Sequence, residues 1–340
     1  MIYLNLKKSL KAVKSCLPAL LRSKYYSNPL WVHLYLTRRC NLKCQYCYVR
    51  DSTKKELETK EVMKVIDKLY SLGIRAIAFF GGEPTIRKDF CEILEYANKK
   101  GFFTYFTTNG SLLNGNYIKR IAETGVDFIE LSVDCVFEFD GSQKVYTKSK
   151  KVLNLLIKAK KKYGFGLKTH LVLTKKNVDY VIKTINLIHS YKVPLTVGYI
   201  TRNTYNDSPE DETLYFNDRK SKEKLINAIN GIIKLKKQGI QIMDPLDYFE
   251  GMKSYVNGKT NWNCKAGKYF FSIDSDGSVQ LCAGMKPYSK NILSIDKDFF
   301  KKRQKEIDKT LAWCTKKCYA NCSFTTTHLI KHPIKALFGK

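Results

Sequence analysis

The sequence is short of three features that would each point to a different class of protein. No run of about 18 apolar residues occurs in the 340 residues, so we predict no membrane-spanning helix. The N-terminus has no clean apolar core followed by a small-residue cleavage site, so we do not expect export. The five histidines share no metal-ligand spacing. We therefore expect a cytoplasmic protein without a histidine-based metal centre.

Acidic residues are also scarce. The chain has 31 Asp and Glu against 60 Lys and Arg, a formal net charge of +29. Such a charge attracts anionic lipid headgroups, nucleic acid or acidic substrates, although lysines spread over solvated surfaces would give the same composition. Residues 1–30 and 326–340 are basic and amphipathic. Either segment could make peripheral contact with an anionic membrane surface or pack on the body of the protein.

Cysteine, by contrast, is abundant and clustered. Three of the eleven cysteines lie in the segment Cys40-Asn-Leu-Lys-Cys44-Gln-Tyr-Cys47, here called the cysteine loop. Five more lie near the C-terminal end and are here called the C-terminal thiols: Cys264, Cys282, Cys314, Cys318 and Cys322. Clustering favours metal or cluster ligation in a reducing compartment over disulfides. Three thiolates fill three corners of a cubane iron–sulfur cluster and leave one iron open, whereas a structural zinc site closes with four ligands.

Strand-like and helix-like segments alternate from residue 31 to about residue 237. The predicted strands are Trp31–Thr37, Ala76–Phe80, Phe103–Thr108, Phe128–Val133, Leu167–Leu173 and Leu195–Ile200. The predicted helices are Lys60–Leu72, Asp89–Lys100, Asn116–Thr124, Lys148–Tyr163, Val178–Ser190 and Ser221–Lys237. This rhythm predicts an α/β fold with parallel strands and right-handed crossovers. Six units predict a partial (β/α)6 barrel that is open rather than closed by eight units.

Several predicted strands alternate polar and apolar side chains. The polar positions are His33, Tyr35 and Thr37, then Tyr105, Thr107 and Asn109, then Glu130, Ser132 and Asp134. Because successive side chains point to opposite faces of a strand, each polar set lies on one face. A polar inner face predicts a lined cavity rather than a dry core, unless these residues lie near exposed strand ends.

The cysteine loop directly follows the first predicted strand, where ligands of parallel sheets bind. Its spacing, with the aromatic Tyr46 just before Cys47, resembles the signature of the radical S-adenosylmethionine (SAM) superfamily. The resemblance implies that Cys40, Cys44 and Cys47 hold a catalytic 4Fe-4S cluster whose open iron is chelated by SAM. An electron from the cluster then splits SAM into methionine and a 5′-deoxyadenosyl radical. It also implies that Tyr46 lies near the adenine.

A second motif, Gly81-Gly82-Glu83-Pro84, follows the predicted strand Ala76–Phe80 and resembles the GGEP motif of the superfamily. The resemblance implies that this motif receives the SAM amino group. Glycines let the backbone approach a ligand closely, and proline keeps the preceding Glu83 extended. The Glu83 carboxylate could accept hydrogen bonds from a cationic amine.

Weaker resemblances lie at the ends of the third and fourth predicted strands. Asn109, and Ser132 with Asp134, resemble positions near the ribose and carboxylate of SAM. Cys135 follows Asp134 where superfamily members often have glycine, and we find no convincing arginine or later glycine motif for the adenine.

The C-terminal thiols resemble the ligands of an auxiliary-cluster domain. The start of SPASM and twitch domains has a spacing that this chain resembles: Cys264 is followed after twelve residues by Gly277, and Gly277 after four residues by Cys282. A hairpin with strands Tyr269–Ile273 and Val279–Cys282 would bring the two cysteines together. The other three C-terminal thiols are spaced by four residues and could share one face of a helical turn.

One auxiliary 4Fe-4S cluster needs four of the five C-terminal thiols. The fifth would be spare or would exchange with substrate. A zinc ribbon with the same ligands remains the alternative, since both metals favour thiolates.

These features predict a radical SAM barrel domain over residues 31–237 and a SPASM/twitch-like domain over residues 238–325. We expect an enzyme that cleaves SAM and modifies a substrate C–H bond, with a reductant such as ferredoxin or flavodoxin. We expect the substrate to be a peptide or protein, or else a lipid or isoprenoid. The resemblance favours the first, since auxiliary domains of this type often accompany peptide or protein modification. RNA is a third candidate, without a recognisable stacking motif. The contrasting hypothesis is a non-enzymatic zinc or iron–sulfur protein that binds nucleic acid.

Overall fold

The computed structural model describes residues 29–200, 211–259, 262–283 and 285–331. Almost all of the basic segment 1–30, and residues 332–340 of the basic tail, lie outside the described residues. Within the described ranges, no helix is both long and apolar enough to cross a bilayer.

One sheet of eight strands organises the described part of the chain. The strands are β1 (Trp31–Tyr35), β2 (Ala76–Phe80), β3 (Phe103–Thr108), β4 (Phe128–Ser132), β5 (Gly166–Leu173), β6 (Leu195–Tyr199), β7 (Phe270–Ile273) and β8 (Val279–Gln280). Their order is β6-β5-β4-β3-β2-β1-β7-β8. Strands β1 to β6 pair in parallel with their neighbours. The predicted partial (β/α)6 barrel is therefore confirmed.

Helices connect the parallel strands and continue into the C-terminal region. They are α1 (Thr59–Ser71), α2 (Phe90–Lys99), α3 (Gly115–Glu123), α4 (Tyr146–Tyr163), α5 (Val181–Ser190), α6 (Arg219–Lys237), α7 (Leu246–Val256), α8 (Phe299–Lys302), α9 (Gln304–Cys314) and α10 (Asn321–Lys331). The predicted helix Val178–Ser190 begins instead with a 3₁₀ turn, Val178–Tyr180, which precedes α5. Helices α7 to α10 were not predicted.

Amphipathic helices pack on the outer face of the sheet. In α1 the buried residues Val62, Val65, Ile66 and Leu69 recur at helical spacing. A capping box between Glu58 and Glu61 satisfies backbone groups at its first turn. One continuous apolar core therefore lies between the sheet and its helices.

The predicted hairpin forms, and it docks beside β1, a position that was not predicted. Strand β7 pairs in parallel with β1, with Trp31 opposite Phe270 and Leu34 opposite Ile273. Strand β8 then pairs antiparallel with β7. Gly277, at a φ of 83°, closes the turn between them in the left-handed region that favours glycine. The sheet thus continues from the barrel into the cysteine-rich region.

A cavity of about 330 Å³, here called the barrel cavity, lies on the inner face of the sheet. Most of the polar residues predicted to face inward line this cavity: His33, Tyr35, Tyr105, Thr107, Glu130 and Ser132. The prediction of a lined cavity is confirmed for these residues. It is wrong for Thr37, which lies beyond the end of β1 and donates its hydroxyl hydrogen to Glu56.

Candidate active site

The three cysteines of the cysteine loop line one pocket of about 150 Å³, here called the loop pocket. The loop curls because Cys47 N donates to Cys44 O at 3.1 Å and Leu42 N donates to Cys40 Sγ at 3.4 Å. Ser142 Oγ lies 3.6 Å from Cys44 Sγ. Three half-buried thiols are thereby presented to a single space at the carboxyl ends of the parallel strands.

The GGEP-like motif forms the opposite wall of the loop pocket and is bonded to the chain that enters the cysteine loop. Gly82 N donates to Thr37 O and Glu83 N donates to Arg39 O, each at 2.8 Å. A Cβ at Gly82 would lie 2.1 Å from Arg39 O, and one at Gly81 would lie 2.6 Å from Thr37 O. These contacts explain why both positions need glycine: any side chain would push the motif away from the cysteine loop.

Glu83 lines the loop pocket, yet both of its carboxylate oxygens already have partners inside the protein. Oε1 accepts from the hydroxyls of Thr85 at 2.6 Å and Thr108 at 2.8 Å. Oε2 accepts from the backbone N–H of Asn109 at 2.7 Å. Burial raises the pKa of Glu83 above its ordinary value, and these hydrogen bonds offset only part of that rise. The carboxylate therefore ties the end of β2 to the end of β3, and its predicted contact with the SAM amine stays a prediction.

Of the two remaining predicted residues, Asn109 lines the loop pocket, whereas Pro84 follows Glu83 and is not part of the pocket wall. Pro84 is buried and starts a 3₁₀ turn, which fits its fixed φ. Asn109 lines the loop pocket, and its side-chain NH₂ donates to Asn41 Oδ1 at 3.1 Å and lies 3.8 Å from Cys40 Sγ. The end of β3 is thus in direct contact with the cysteine loop.

The predicted SAM contacts Ser132, Tyr46 and Asp134 differ in which of the two spaces they line. Ser132 lines both the loop pocket and the barrel cavity. Tyr46 lines the barrel cavity and donates its hydroxyl hydrogen to Asp134 Oδ2 at 2.5 Å. Asp134 lines neither space, and it also accepts from Ser142 Oγ at 2.6 Å and Val172 N at 3.0 Å. Asp134 therefore anchors Tyr46 to the sheet.

Lys144 was missed by the sequence reasoning and lies where the two spaces meet. It lines both the loop pocket and the barrel cavity. Its Nζ is 3.7 Å from Asp134 Oδ2 and 4.8 Å from the centre of the Tyr46 ring. Lys144 therefore places a cation, beside the Asp134 carboxylate, at the junction of the loop pocket and the barrel cavity. Lys144 lies in an irregular connection, and no local pattern distinguishes it from the other lysines.

A charged group lies in the wall of the barrel cavity on β4 and β5. Lys168 Nζ donates to Glu130 Oε2 at 2.8 Å, and both side chains are mostly buried. Burial alone would raise the pKa of Glu130. The positive charges of Lys168 and then His170 outweigh this effect and lower the pKa to about 2. Burial lowers the pKa of His170, although the neighbouring Glu130 carboxylate opposes this shift. The two-residue period of the predicted strand 167–173 could have placed Lys168 and His170 on the cavity face.

A buried ion pair joins the chain entering the cysteine loop to the β7–β8 hairpin. Arg38 Nε donates to Asp274 Oδ1 at 2.7 Å and its Nη2 donates to Oδ2 at 2.9 Å, and both side chains are almost fully buried. Lys54 Nζ adds a contact of 2.8 Å with Asp276. The cysteine loop is therefore held by a segment more than two hundred residues further along the chain.

The C-terminal thiols come from three separate segments. Cys264 precedes β7, Cys282 follows β8, Cys314 ends α9, Cys318 lies between α9 and α10, and Cys322 is in the first turn of α10. The interpretation that the last three share one helix face is wrong, because α9 ends before Cys318. Lys317 N donates to Cys314 O at 2.9 Å in the turn that replaces the helix.

These thiols nevertheless converge. Burial and then the neighbouring thiols of Cys322, Cys264 and Cys314 raise the pKa of Cys282. A hydrogen bond with Cys314 and burial raise the pKa of Cys318. Ser323 Oγ lies 3.9 Å from both Cys282 Sγ and Cys322 Sγ. The donor set is thus sulfur-rich, which suits iron–sulfur ligation, although Cys322 itself is exposed.

Among the described residues, no three His, Cys, Asp or Glu side chains converge on one point in the way that a single bound ion requires. The thiolates of a cubane cluster bind different iron atoms, so they need not meet at one point. The cysteine loop fits this second geometry, with three sulfurs around a common pocket.

Comparison with known proteins gives the class of the protein. The sequence matches the Radical SAM superfamily over residues 34–216, more than half of the 340 residues. The chain therefore belongs to the radical SAM superfamily and is an enzyme. Membership implies a 4Fe-4S cluster and SAM, and the cysteine loop and its pocket fit both. The non-enzymatic alternative is set aside by this match.

One curated relative is similar over part of its length. Fe-coproporphyrin III synthase from Methanosarcina barkeri (strain Fusaro) is 33% identical over 171 residues, which cover 48% of this chain and 42% of that protein. The chain thus matches less than half of that relative.

Two solved structures share the fold. Native anSMEcpe with bound AdoMet is 20% identical, with a TM-score of 0.63, over 83% of this chain and 84% of that one. SuiB from Streptococcus suis is 17% identical, with a TM-score of 0.62, over 86% and 70% of the two chains. The chain therefore has the same overall fold as these two proteins.

Proposed function

We propose that this enzyme cleaves SAM reductively and uses the radical to modify a C–H bond in a peptide or protein. The observation that carries the proposal is the contact between the two spaces. The loop pocket and the barrel cavity share the following lining residues: Phe80, Gly81, Thr107, Ser132 and Lys144. A group bound at the cysteine loop would therefore face the cavity directly.

SAM bound at an iron–sulfur cluster supplies a 5′-deoxyadenosyl radical, and the residues of this chain hold and shield it. Cys40, Cys44 and Cys47 would hold the cluster through their thiolates. The backbone of the GGEP-like motif and the Asn109 amide would bind SAM at the far wall, and Lys144 would pair with its carboxylate. Because a primary radical attacks any C–H bond it meets, the positioning of the substrate determines which bond reacts.

The barrel cavity favours a peptide side chain over the other candidate substrates. Its volume of about 330 Å³ is at the small end of ligand pockets, which span about 300–1,000 Å³. Its wall carries Glu130, Lys168 and His170, and burying an isoprenoid chain against a charged pair would be costly. Structures of the two fold neighbours include SuiB bound to precursor peptide SuiA and anSMEcpe with Cp18Cys peptide. These neighbours add support for a peptide.

Four of the C-terminal thiols would hold one auxiliary 4Fe-4S cluster, as in SPASM or twitch domains. Cys322 lines the barrel cavity, so this cluster would lie beside the substrate and could relay electrons. A ferredoxin or flavodoxin would supply the electron for SAM cleavage. A cytoplasmic location, with contact between the basic ends and an anionic membrane, also remains a prediction.

The test is anaerobic reconstitution with iron and sulfide, then incubation with SAM and dithionite. We expect liquid chromatography to detect 5′-deoxyadenosine. We expect the amount formed to increase when a peptide extract that contains the substrate is added. A mass change in one peptide would identify the substrate. Absence of 5′-deoxyadenosine from fully loaded protein would remove the proposal, and stimulation by lipid extract alone would remove the peptide part.

A further inference from the structure

The imidazole of His170, on β5, is held by the neighbouring strand β6. His170 and Thr196 are partners in the parallel register of these two strands, so their side chains lie on the same face of the sheet. His170 Nδ1 and Thr196 Oγ1 are 2.8 Å apart. Thr196 Oγ1 in turn donates to the backbone carbonyl of Thr169 at 3.4 Å. The ring is therefore the first member of a chain of hydrogen bonds that ends at the backbone.

This chain of hydrogen bonds determines which ring nitrogen carries the hydrogen. A hydroxyl has one hydrogen, and a backbone carbonyl can only accept. Because Thr196 gives its hydrogen to Thr169 O, its oxygen accepts from the Nδ1–H of His170. A neutral imidazole with its hydrogen on Nδ1 has an unprotonated Nε2. Burial lowers the pKa of His170 below its ordinary value of 6.5, so the neutral ring predominates at pH 8.

Nε2 of His170 faces the barrel cavity. The residue lines the cavity and is partly buried. Among the described residues, Nε2 has no hydrogen-bond partner, and it is not one of the polar atoms that are fully enclosed without one. Gly198, on β6, also lines the cavity, and a Cβ there would lie 2.9 Å from both Nε2 and Cε1. The absence of a side chain at Gly198 therefore leaves space beside Nε2.

The charges near His170 restrict the groups that Nε2 can bind. Glu130 Oε1 accepts from Thr107 Oγ1 at 2.9 Å, and Oε2 accepts from Lys168 Nζ at 2.8 Å, so both carboxylate oxygens have partners. Lys168 lies two residues before His170 on the same face of β5, and its ammonium would repel a cationic ligand. An unprotonated Nε2 offers no hydrogen to a carboxylate. A neutral N–H group meets neither obstacle.

We propose that Nε2 of His170 is a specificity-determining acceptor that binds an amide N–H of the substrate in the barrel cavity. Thr196 is a positioning residue that fixes the ring hydrogen on Nδ1. This inference rests on the proposed function, because it takes the barrel cavity to be the place where a peptide binds. A peptide carries the required group in its backbone and in its Asn and Gln side chains.

The test uses two probes of the same shape, 3-phenylpropanamide and 4-phenylbutan-2-one, in which an NH₂ group is replaced by a methyl group. Their binding to reconstituted, full-length protein is measured anaerobically at pH 8 by ligand-observed NMR. We expect the wild-type protein to bind the amide about fivefold more tightly than the ketone, since only the amide can donate to Nε2. Binding of the probes needs no SAM cleavage, so this test can fail separately from the proposed function.

His170→Asn keeps an amide near the position of Nδ1 and removes the acceptor at Nε2. We expect this variant to bind the two probes equally. His189→Asn makes the same change at an exposed position on α5 and should keep the preference of the wild-type protein. No preference for the amide in the wild-type protein, or a preference that survives in folded His170→Asn, would overturn the proposal.

A second pair of variants, at Thr196, decides the question if His170→Asn does not fold. Thr196→Val removes the hydroxyl that accepts from Nδ1–H, whereas Thr196→Ser keeps it. We expect the preference for the amide to fall to about twofold or less in Thr196→Val and to remain about fivefold in Thr196→Ser. An unchanged preference in Thr196→Val, or its loss in Thr196→Ser, would contradict the assignment of the ring hydrogen on which the proposal depends.

Discussion

The cysteine loop and the C-terminal thiols reach their positions by different routes. In the cysteine loop, three thiols come from eight consecutive residues and line one half-exposed pocket. The C-terminal thiols come from three segments spread over residues 264–322, and their positions depend on the β7–β8 hairpin and on two helices. A local motif can present cluster ligands by spacing alone, whereas dispersed ligands require the tertiary fold to be in place.

The two regions are nevertheless coupled. Arg38 enters the cysteine loop, Asp274 begins the turn of the hairpin, and their buried ion pair joins the two. The same hairpin extends the sheet beside β1. The C-terminal region therefore supports the first site as well as carrying thiols of its own.

The largest expected effect comes from removing one set of thiols at a time. Replacing Cys40, Cys44 and Cys47 by alanine should abolish 5′-deoxyadenosine formation and leave about four of about eight irons per chain, because each cubane holds four. Replacing Cys314 and Cys318 by alanine should also leave about four irons but keep SAM cleavage measurable. Iron analysis and liquid chromatography make the measurements. SAM cleavage by the first variant would contradict the assignment of the cysteine loop.

The coupling between the regions can be broken at Arg38. Arg38→Met leaves the buried Asp274 carboxylate with only a longer ion pair, to Lys54 Nζ at 3.7 Å. The loss of the two short Arg38 contacts should lower the free energy of unfolding by about 3 kcal/mol. Arg39→Met is the matched control, because Arg39 pairs with Glu56 at 2.8 Å but its side chain is 48% exposed. That pair should contribute less than about 1 kcal/mol. Urea unfolding measures both, and equal losses would show that the Arg38 pair does not join the regions.

The docking of the GGEP-like motif can be tested at Gly82. Gly82→Ala places a methyl group against Arg39 O and should cost at least about 1–3 kcal/mol, with reduced iron in the cysteine loop. Gly115→Ala is the control, since a Cβ there meets nothing within 4 Å. It should be neutral or slightly stabilising. Full iron loading and wild-type stability in Gly82→Ala would be inconsistent with the tight approach of the two segments.

The smallest effect concerns His33, which packs between Phe80 and Phe270, with ring centres 5.2 and 5.4 Å away. Burial lowers the pKa of His33 from 6.5 to about 4. Because the unfolded chain binds the proton first, stability should fall as the pH drops below 6.5, by about 1 kcal/mol at pH 5.5. The His33→Phe variant should not show this loss of stability on acidification. Urea unfolding of both proteins between pH 7 and pH 5 measures the difference, and identical pH profiles would contradict a lowered pKa of His33.

The same contrast explains what the sequence could predict. Cys40, Cys44, Cys47 and the GGEP-like motif were found because ligand spacing and strand ends are local features, and the structure brings them together in one pocket. Strand alternation located the barrel cavity for a similar reason. The predicted bounds are those observed for β2 and β3, and they differ by one or two residues for β1, β4, β5 and β6.

The contacts that were missed join residues far apart in the chain. The Arg38–Asp274 pair depends on the parallel docking of β7 beside β1, which no local pattern specifies. Lys144 gains its position from an irregular connection that folds back over the cysteine loop, where Gln45 N donates to Gly141 O at 2.9 Å. The helical interpretation of the last three thiols was wrong because spacing by four residues does not reveal where a helix stops.

The open iron at the cysteine loop is tested most directly by electron paramagnetic resonance of the reduced, reconstituted enzyme, recorded with and without SAM. A variant in which Cys314 and Cys318 are alanine isolates the signal of the first cluster. We predict that SAM shifts the g values of this signal, since its amino and carboxylate groups take the coordination position that the protein leaves free. A spectrum unchanged by saturating SAM would contradict this account.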